Sequence, residues 1–246
     1  MNYKAFPIDW RFLPEPALVC KDSIRHVLNK AGGGPHLPSI VGKAWFKLYH
    51  RTQLSRVKAA GVVFVHVPRT GGTSVGKVLY GQNLPHVSLA YLRRVGGEPL
   101  ARLPSFSIIR SPTARIVSAY RFIRAGGTSL MACSRYDPLG LRRISTFDAF
   151  IEAIARHQHQ LRSYDVLRAQ SEYVTDSSGI LLVDRLFAFE DVAQGSPDLH
   201  RWLGANDLPM LNASDHLPLS ISANSRRLIE TIYANDLQLH DRVRRT

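Results

Sequence analysis

Apolar and polar positions divide the chain into strand-like runs and helix-like stripes. Val62-Val63-Phe64-Val65 is an unbroken apolar run with the length and β-branching of a strand covered on both faces. It passes through His66, Val67 and Pro68 into Arg69-Thr70-Gly71-Gly72-Thr73-Ser74, and then into Val75, Val78 and Leu79 at helical spacing. The order is strand, tight turn, helix. Phe106-Ser107-Ile108-Ile109 reads as a second inner strand ending in Arg110-Ser111-Pro112, where Pro112 suits the first turn of a helix over residues 114–123. Residues 180–183, Ile-Leu-Leu-Val, predict another inner strand, and 186–189 a neighbouring or edge strand. Helices are expected over 41–57, with an aromatic inner face, over 89–95 behind a Ser88 cap, over 147–157, and in the C-terminal region after Ser222 or Asn224. This alternation predicts an α/β fold: a three-layer, P-loop-like domain with a mostly parallel central sheet flanked by helices. Residues 1–40, broken by Pro7, Pro14, Pro16 and the Gly/Pro-rich stretch 31–38, read as an arm and linker, and 41–246 as the domain.

The turn at 69–74 carries candidate chemistry. Paired glycines let the backbone bend closely, the N–H groups that open the next helix converge on one point, Arg69 adds charge, and Thr70, Thr73 and Ser74 add hydroxyls. A phosphate or sulfate group suits such a turn. It is not the usual nucleoside-triphosphate loop: with Gly72 on the last glycine of GxxxxGK[ST], Val67 takes the place of the first glycine and Thr73 that of the lysine. The plainer alternative is a simple strand-to-helix connection with Arg69 in solvent. A second anion position is suggested where Arg110 precedes a helix on which Arg115, Ser118 and Phe122 share a side. There the alternative is Ser118 as a small packing residue and Arg115 as a solvated charge.

Charge sharpens this picture through its distribution. The net charge is +13, and residues 43–124 hold fourteen basic side chains against one acidic, Glu98. A positive field centred on the glycine turn draws polyanions. Nucleic acid is the competing partner, but no zinc-finger spacing or RNP-like aromatic strand accompanies the charge, so it is the less favoured one. Two cysteines, Cys20 and Cys133, imply no disulfide framework, and no stretch has the length and apolarity of a transmembrane segment. A cytoplasmic protein is expected. HExxH-type spacing is absent, and no catalytic metal is expected.

HVPRTGGTS at 66–74 and IIRSPTARIVSAY at 108–120 together resemble the two cofactor motifs of sulfotransferases that use 3′-phosphoadenosine 5′-phosphosulfate (PAPS), particularly the carbohydrate branch of Golgi enzymes and bacterial relatives. Segments 167–174, 181–191 and 212–243 resemble later parts of that branch, so the likeness runs in order from about 61 to 243. The resemblance implies that Arg69, Thr70, Gly71, Gly72, Thr73 and Ser74 surround the 5′-phosphosulfate and that Arg110 and Ser118 bind the 3′-phosphate. It puts Arg115 at a second arginine position, orienting or packing, and Gln170, Ser171 and the loop 212–216 with Asn212 and Ser214 near the cofactor or closing its site. Arg69 departs from the usual lysine, keeping the charge but replacing a compact ammonium with a planar fork.

Direct in-line sulfuryl transfer to a hydroxyl is the implied reaction. It needs a base for the acceptor proton and cationic or N–H groups where charge develops on the leaving phosphate. Arg69 and the amides of 72–74 suit the charge role. His86 is the candidate base: it lies in an irregular segment after the anion-binding helix, belongs to the pKa class that titrates near neutrality, and its surroundings PHVSLAYLRR resemble the family segment in which a histidine precedes a short helix. His66 suits an orienting role better, and Glu98 is a poorly placed base. The segment 126–145, with Arg135, Tyr136, Arg142 and Arg143, is long enough to cover an acceptor such as a carbohydrate, glycoconjugate or lipid-linked acceptor, with an acidic one favoured by the arginines. Three rivals stand beside this reading: a P-loop-type ATP-dependent small-molecule kinase, a nucleotide- or nucleic-acid-binding protein without catalysis, and a relative that binds the nucleotide but transfers nothing.

Overall fold

The structure is a computed structural model that describes residues 51–128, 131–132, 137, 139–204 and 219–245. The expected arm at 1–40, the first part of the aromatic helix, Arg135, Tyr136 and the loop with Asn212 and Ser214 lie outside the described residues.

Helix α1 (Arg51–Ala60) leads into strand β1 (Val63–Val65), whose three residues are all buried. Helix α2 (Gly72–Tyr80) follows and stops at Gly81, which takes the left-handed conformation at φ 68°. Helix α3 (Leu89–Gly96) starts where Ser88 Oγ accepts the Tyr91 N–H, as the cap predicts. A single helical turn, α4 (Glu98–Ala101), precedes the fully buried β2 (Ser105–Ile109), and α5 (Pro112–Ala125) opens on proline and ends at Gly126. Two short antiparallel strands, β3 (Gly127–Thr128) and β4 (Met131–Ala132), are followed by α6 (Phe147–Arg156) and the short α7 (Ser171–Val174). Strand β5 (Arg185–Ala188) runs directly into the turn α8 (Phe189–Val192), then α9 (Pro197–Leu203), and the chain closes with α10 (Ala223–Ile232) and α11 (Ala234–Arg244).

Among the described residues the main sheet has three strands, all parallel, in the order β1-β2-β5. Val65 pairs with Ser107 and Ile109 with Ala188, so all three strands finish at one edge. The chain is therefore a helix-rich α/β protein with a small open parallel sheet flanked by helices. One sequence expectation is corrected: 180–183 is not an inner strand. Asp176 Oδ1 accepts the N–H groups of Ser178 and Ile180, and the turn this fixes leaves Ile180 64% exposed, with only a one-residue bridge between Thr175 and Leu181. The less apolar run 185–188 takes the place in the sheet because its register against β2 buries Leu186, Phe187 and Ala188.

Two apolar clusters hold these layers. One surrounds the sheet, where the Phe106 ring lies 5.1 Å from Phe64, 5.9 Å from Phe187 and 5.2 Å from Trp202. The other joins the outer face of α5 to α6 and α10 through Ile116, Phe150, Ile154 and Ile229. The edge of β1 is completed by a side chain: the Tyr80 hydroxyl accepts the Phe64 N–H at 2.8 Å and donates to Val62 O at 2.9 Å. Those buried backbone groups would otherwise have no partner. Among the described residues no helix is long and apolar enough to cross a membrane.

Candidate anion site at the sheet edge

Because the strands are parallel and adjacent, the turns after β1, β2 and β5 emerge side by side. The first turn is held by its own backbone. Arg69 has φ 68°, the one positive value on a described non-glycine residue, and Gly71 follows at φ 78° as the N-cap of α2. A side chain in this region costs about 1–3 kcal/mol, and such strain concentrates at binding sites. The twist carries Arg69 across to α5: its Nε donates to Ser118 Oγ at 3.0 Å, and its guanidinium stands 4.8 Å from the centre of the Phe122 ring. Burial lowers the Arg69 pKa, and the nearby Arg110 lowers it further. Two cations held this close favour an anion between or beside them.

Gly72 is required by packing. A Cβ there would stand 2.1 Å from His66 Cδ2, and one on Gly71 would stand 3.0 Å from the Phe189 ring. The helix thus begins against aromatic rings with no side-chain cap on its first N–H groups. These are the groups that an anion satisfies at a helix start. The hydroxyls divide. Thr70 is fully buried and donates to Val67 O at 2.9 Å, so its side chain braces the turn. Ser74 is buried and its N–H donates to Gly71 O. Thr73 is partly exposed at the helix start and is the hydroxyl of this turn best placed for a ligand.

At the end of β2, Arg110 is partly exposed and its guanidinium lies 4.5 Å from the centre of the Phe189 ring. Its Nε is buried with no hydrogen-bond partner among the described residues. Burial lowers the Arg110 pKa, Glu190 opposes this, and Arg121 adds to the lowering. Glu190 also accepts the Ser111 N–H at 3.0 Å and bonds His240 Nε2 at 3.1 Å. Burial raises its pKa, but hydrogen bonds from His240 and Ser111 outweigh that and hold the carboxyl at about 2.

Arg115, Gln170 and Ser171 stand behind the site. Arg115 is fully buried, donates to Val166 O and Arg168 O at 3.1 and 3.0 Å, and has Asp236 at 3.9 Å. These contacts tie α5 to residues 166–168 and to α11. The fully buried Gln170 side chain accepts the Arg110 N–H at 2.9 Å and donates to Arg110 O at 2.8 Å. Ser171 is buried and donates its N–H to Asp236 Oδ1. Arg115 Nε is buried without a hydrogen-bond partner among the described residues.

His86 lies partly exposed beside the turn. Its Nδ1 is 3.0 Å from His66 O, and a carbonyl only accepts, so Nδ1 carries the proton and Nε2 keeps its lone pair. The two rings meet edge to face with centroids 4.2 Å apart, and His66 Nδ1 in turn donates to Leu84 O at 3.1 Å. Burial pushes His86 down to about 4, a hydrogen bond to His66 O opposes the shift, and Arg69 reinforces it. Titration near neutrality, the sequence expectation, gives way to a histidine that is neutral at pH 7 and a weaker base. His66 is also lowered well below its ordinary value, first by burial and then by His86. Glu98 is exposed and bonds Arg102, away from this geometry.

The sequence reading assigns no site role to Phe189, Glu190, Asp236 or His240. Phe189 and Glu190 had a readable signal: they follow the third strand as Arg69 and Arg110 follow the first two. Asp236 and His240, on α11, had none. Among the described residues no cluster of three metal-ligating side chains occurs. Comparison of the chain with protein-family models, curated proteins and solved structures finds no match.

Proposed function

We propose that the protein is a PAPS-dependent sulfotransferase of the carbohydrate type, built on a three-layer P-loop-like scaffold. The observation that carries the reading is the Arg69 Nε to Ser118 Oγ contact at 3.0 Å, which joins two motifs 49 residues apart at one sheet edge. A nucleotide with anions at both its 5′ and 3′ positions needs two such adjacent places. In this reading the α2 amides, Thr73 and Arg69 hold the 5′-phosphosulfate, while Arg110 and Ser118 hold the 3′-phosphate. The donor supplies the sulfuryl group and a nucleotide phosphate as leaving group.

The acceptor hydroxyl attacks sulfur in line with the breaking S–O bond, and its proton passes to Nε2 of His86. Charge released on the leaving phosphate falls on Arg69 and the helix amides, where fixed dipoles and a guanidinium stabilise it without reorganisation. A fork in place of an ammonium can contact two oxygens at once. A carbohydrate, glycoconjugate or lipid-linked hydroxyl is the acceptor class, with acidic ones drawn by the positive field. Kinase chemistry is less well supported, since Thr73 stands where the P-loop lysine belongs.

Ligand-induced thermal stabilisation tests the reading. The melting temperature rises more with 3′-phosphoadenosine 5′-phosphate (PAP) than with equal concentrations of 5′-AMP or of ATP with magnesium. A larger rise with ATP and magnesium sinks the proposal and favours the kinase.

A further inference from the structure

Arg110 sits one residue beyond the last paired residue of β2, where the ladder to β5 has ended at Ile109 and Ala188. A residue there is ordinarily free to swing with the loop. Here the Gln170 side chain takes over as a substitute strand, accepting the Arg110 N–H at 2.9 Å and donating to Arg110 O at 2.8 Å. Both amide atoms are committed and the residue is 0% exposed, so Gln170 is unavailable to a ligand.

The clamp is itself anchored. Asp236 on α11 is fully buried and accepts the N–H of Gln170 through Oδ2 at 2.8 Å and that of Ser171 through Oδ1 at 2.9 Å. Arg115 lies 3.9 Å from Asp236 and ties the same segment through Val166 O and Arg168 O. A chain of buried polar contacts thus runs from the C-terminal helix through 166–171 to the backbone of one arginine. That arginine carries a buried Nε without a partner among the described residues.

We propose that Gln170, fixed by Asp236, is the positioning residue for Arg110: it sets the backbone from which the guanidinium meets the 3′-phosphate, and so determines the preference for 3′-phosphorylated nucleotides. The inference rests on the function proposed above. It differs from a general stabilising role by acting on one phosphate of the ligand. A side chain that holds both backbone groups of a single residue restricts its φ and ψ together, and misplacing a charged donor by a fraction of an ångström weakens a charge-assisted hydrogen bond steeply.

The test is competition titration of PAP and 5′-AMP on the full chain and on Gln170→Ala, Arg110→Ala and the double variant. Amide hydrogen exchange at Arg110 and Ile108 is followed in parallel. Wild type prefers PAP. Gln170→Ala reduces that preference about tenfold, the loss of roughly one well-placed hydrogen bond, and leaves 5′-AMP affinity within about twofold. Exchange quickens at Arg110 and stays slow at Ile108. In the Arg110→Ala background the second substitution changes the preference no further. Gln170→Leu removes both hydrogen bonds without adding charge or leaving a large void; it gives the same reduction and carries the comparison if the alanine variant does not fold. An unchanged PAP preference in a folded Gln170 variant overturns the inference, as does equal weakening of both nucleotides. No PAP preference in wild type overturns the proposed function and this inference with it.

Discussion

The turns after β1 and β2 leave the same sheet edge for the same place, yet they are built by opposite means. The first is self-contained: Thr70 Oγ1 donates to Val67 O, Ser74 N to Gly71 O, and positive φ at Arg69 and Gly71 supplies the bend. The second has no glycine. Arg110 and Ser111 are held by Gln170 and Glu190, 60 and 79 residues further along the chain. A local turn is exposed to a single added Cβ, whereas a turn held from outside depends on side chains distant in the sequence.

The most damaging substitution is expected far from the site. Asp236→Ala leaves the Gln170 and Ser171 N–H groups unbonded and Arg115 buried beside no countercharge, and should cost about 3–5 kcal/mol in urea unfolding. If it costs no more than a surface substitution, the second turn is not held from the core. Gly72→Ala is next. His66 is hemmed in by His86 and Leu84 and has little room to retreat from a Cβ at 2.1 Å, so about 3 kcal/mol of stability should go, together with nucleotide binding. Retained binding in a folded Gly72→Ala protein would show that the close start of α2 is dispensable.

His86→Ala sharpens the division between binding and chemistry. PAP affinity should hold while sulfuryl transfer falls about a hundredfold, the lower end of general-base contributions, as suits a weakened base. With a folded pKa of about 4, the acid limb of kcat/KM should appear near pH 4. A limb near 6.5 would contradict the lowered pKa of His86. The same shift has a stability consequence. His66 and His86 both have folded pKa values below the ordinary 6.5, so between that value and about 4 the unfolded chain binds more protons. Their contribution is complete above pH 6.5 and is lost as pH falls toward 4, which acid titration of the melting temperature would follow. The smallest effect is expected at Thr70→Val, which removes one local hydrogen bond and should cost about 1 kcal/mol in the same unfolding experiment.

The same contrast explains what the sequence made legible. The strand, glycine turn and helix at 62–80 are written in contiguous residues, and so are β2, Pro112 and the Ser88 cap. Apolarity misled at 180–183, because an Asx turn at Asp176 consumed the run that hydropathy favoured. The supports of Arg110 come from 170, 190 and 236, which no local pattern links to it. Arg115 reads equally as a solvated charge or as an orienting or packing residue, because its carbonyl partners at 166 and 168 lie about 50 residues away. His86 was legible as a residue but not in its basicity, which depends on how burial, His66 and Arg69 surround it.

The central claim is that the two turns form one site for a nucleotide charged at both ends. Isothermal calorimetry with PAP and 5′-AMP, on wild type and on Arg110→Ala, tests it most directly. PAP should bind wild type well ahead of 5′-AMP, and Arg110→Ala should lose about 10- to 100-fold in PAP affinity with little change for 5′-AMP, the range for a charged hydrogen bond. Equal affinities for the two nucleotides in wild type, or an Arg110→Ala protein that keeps its preference, would contradict the claim.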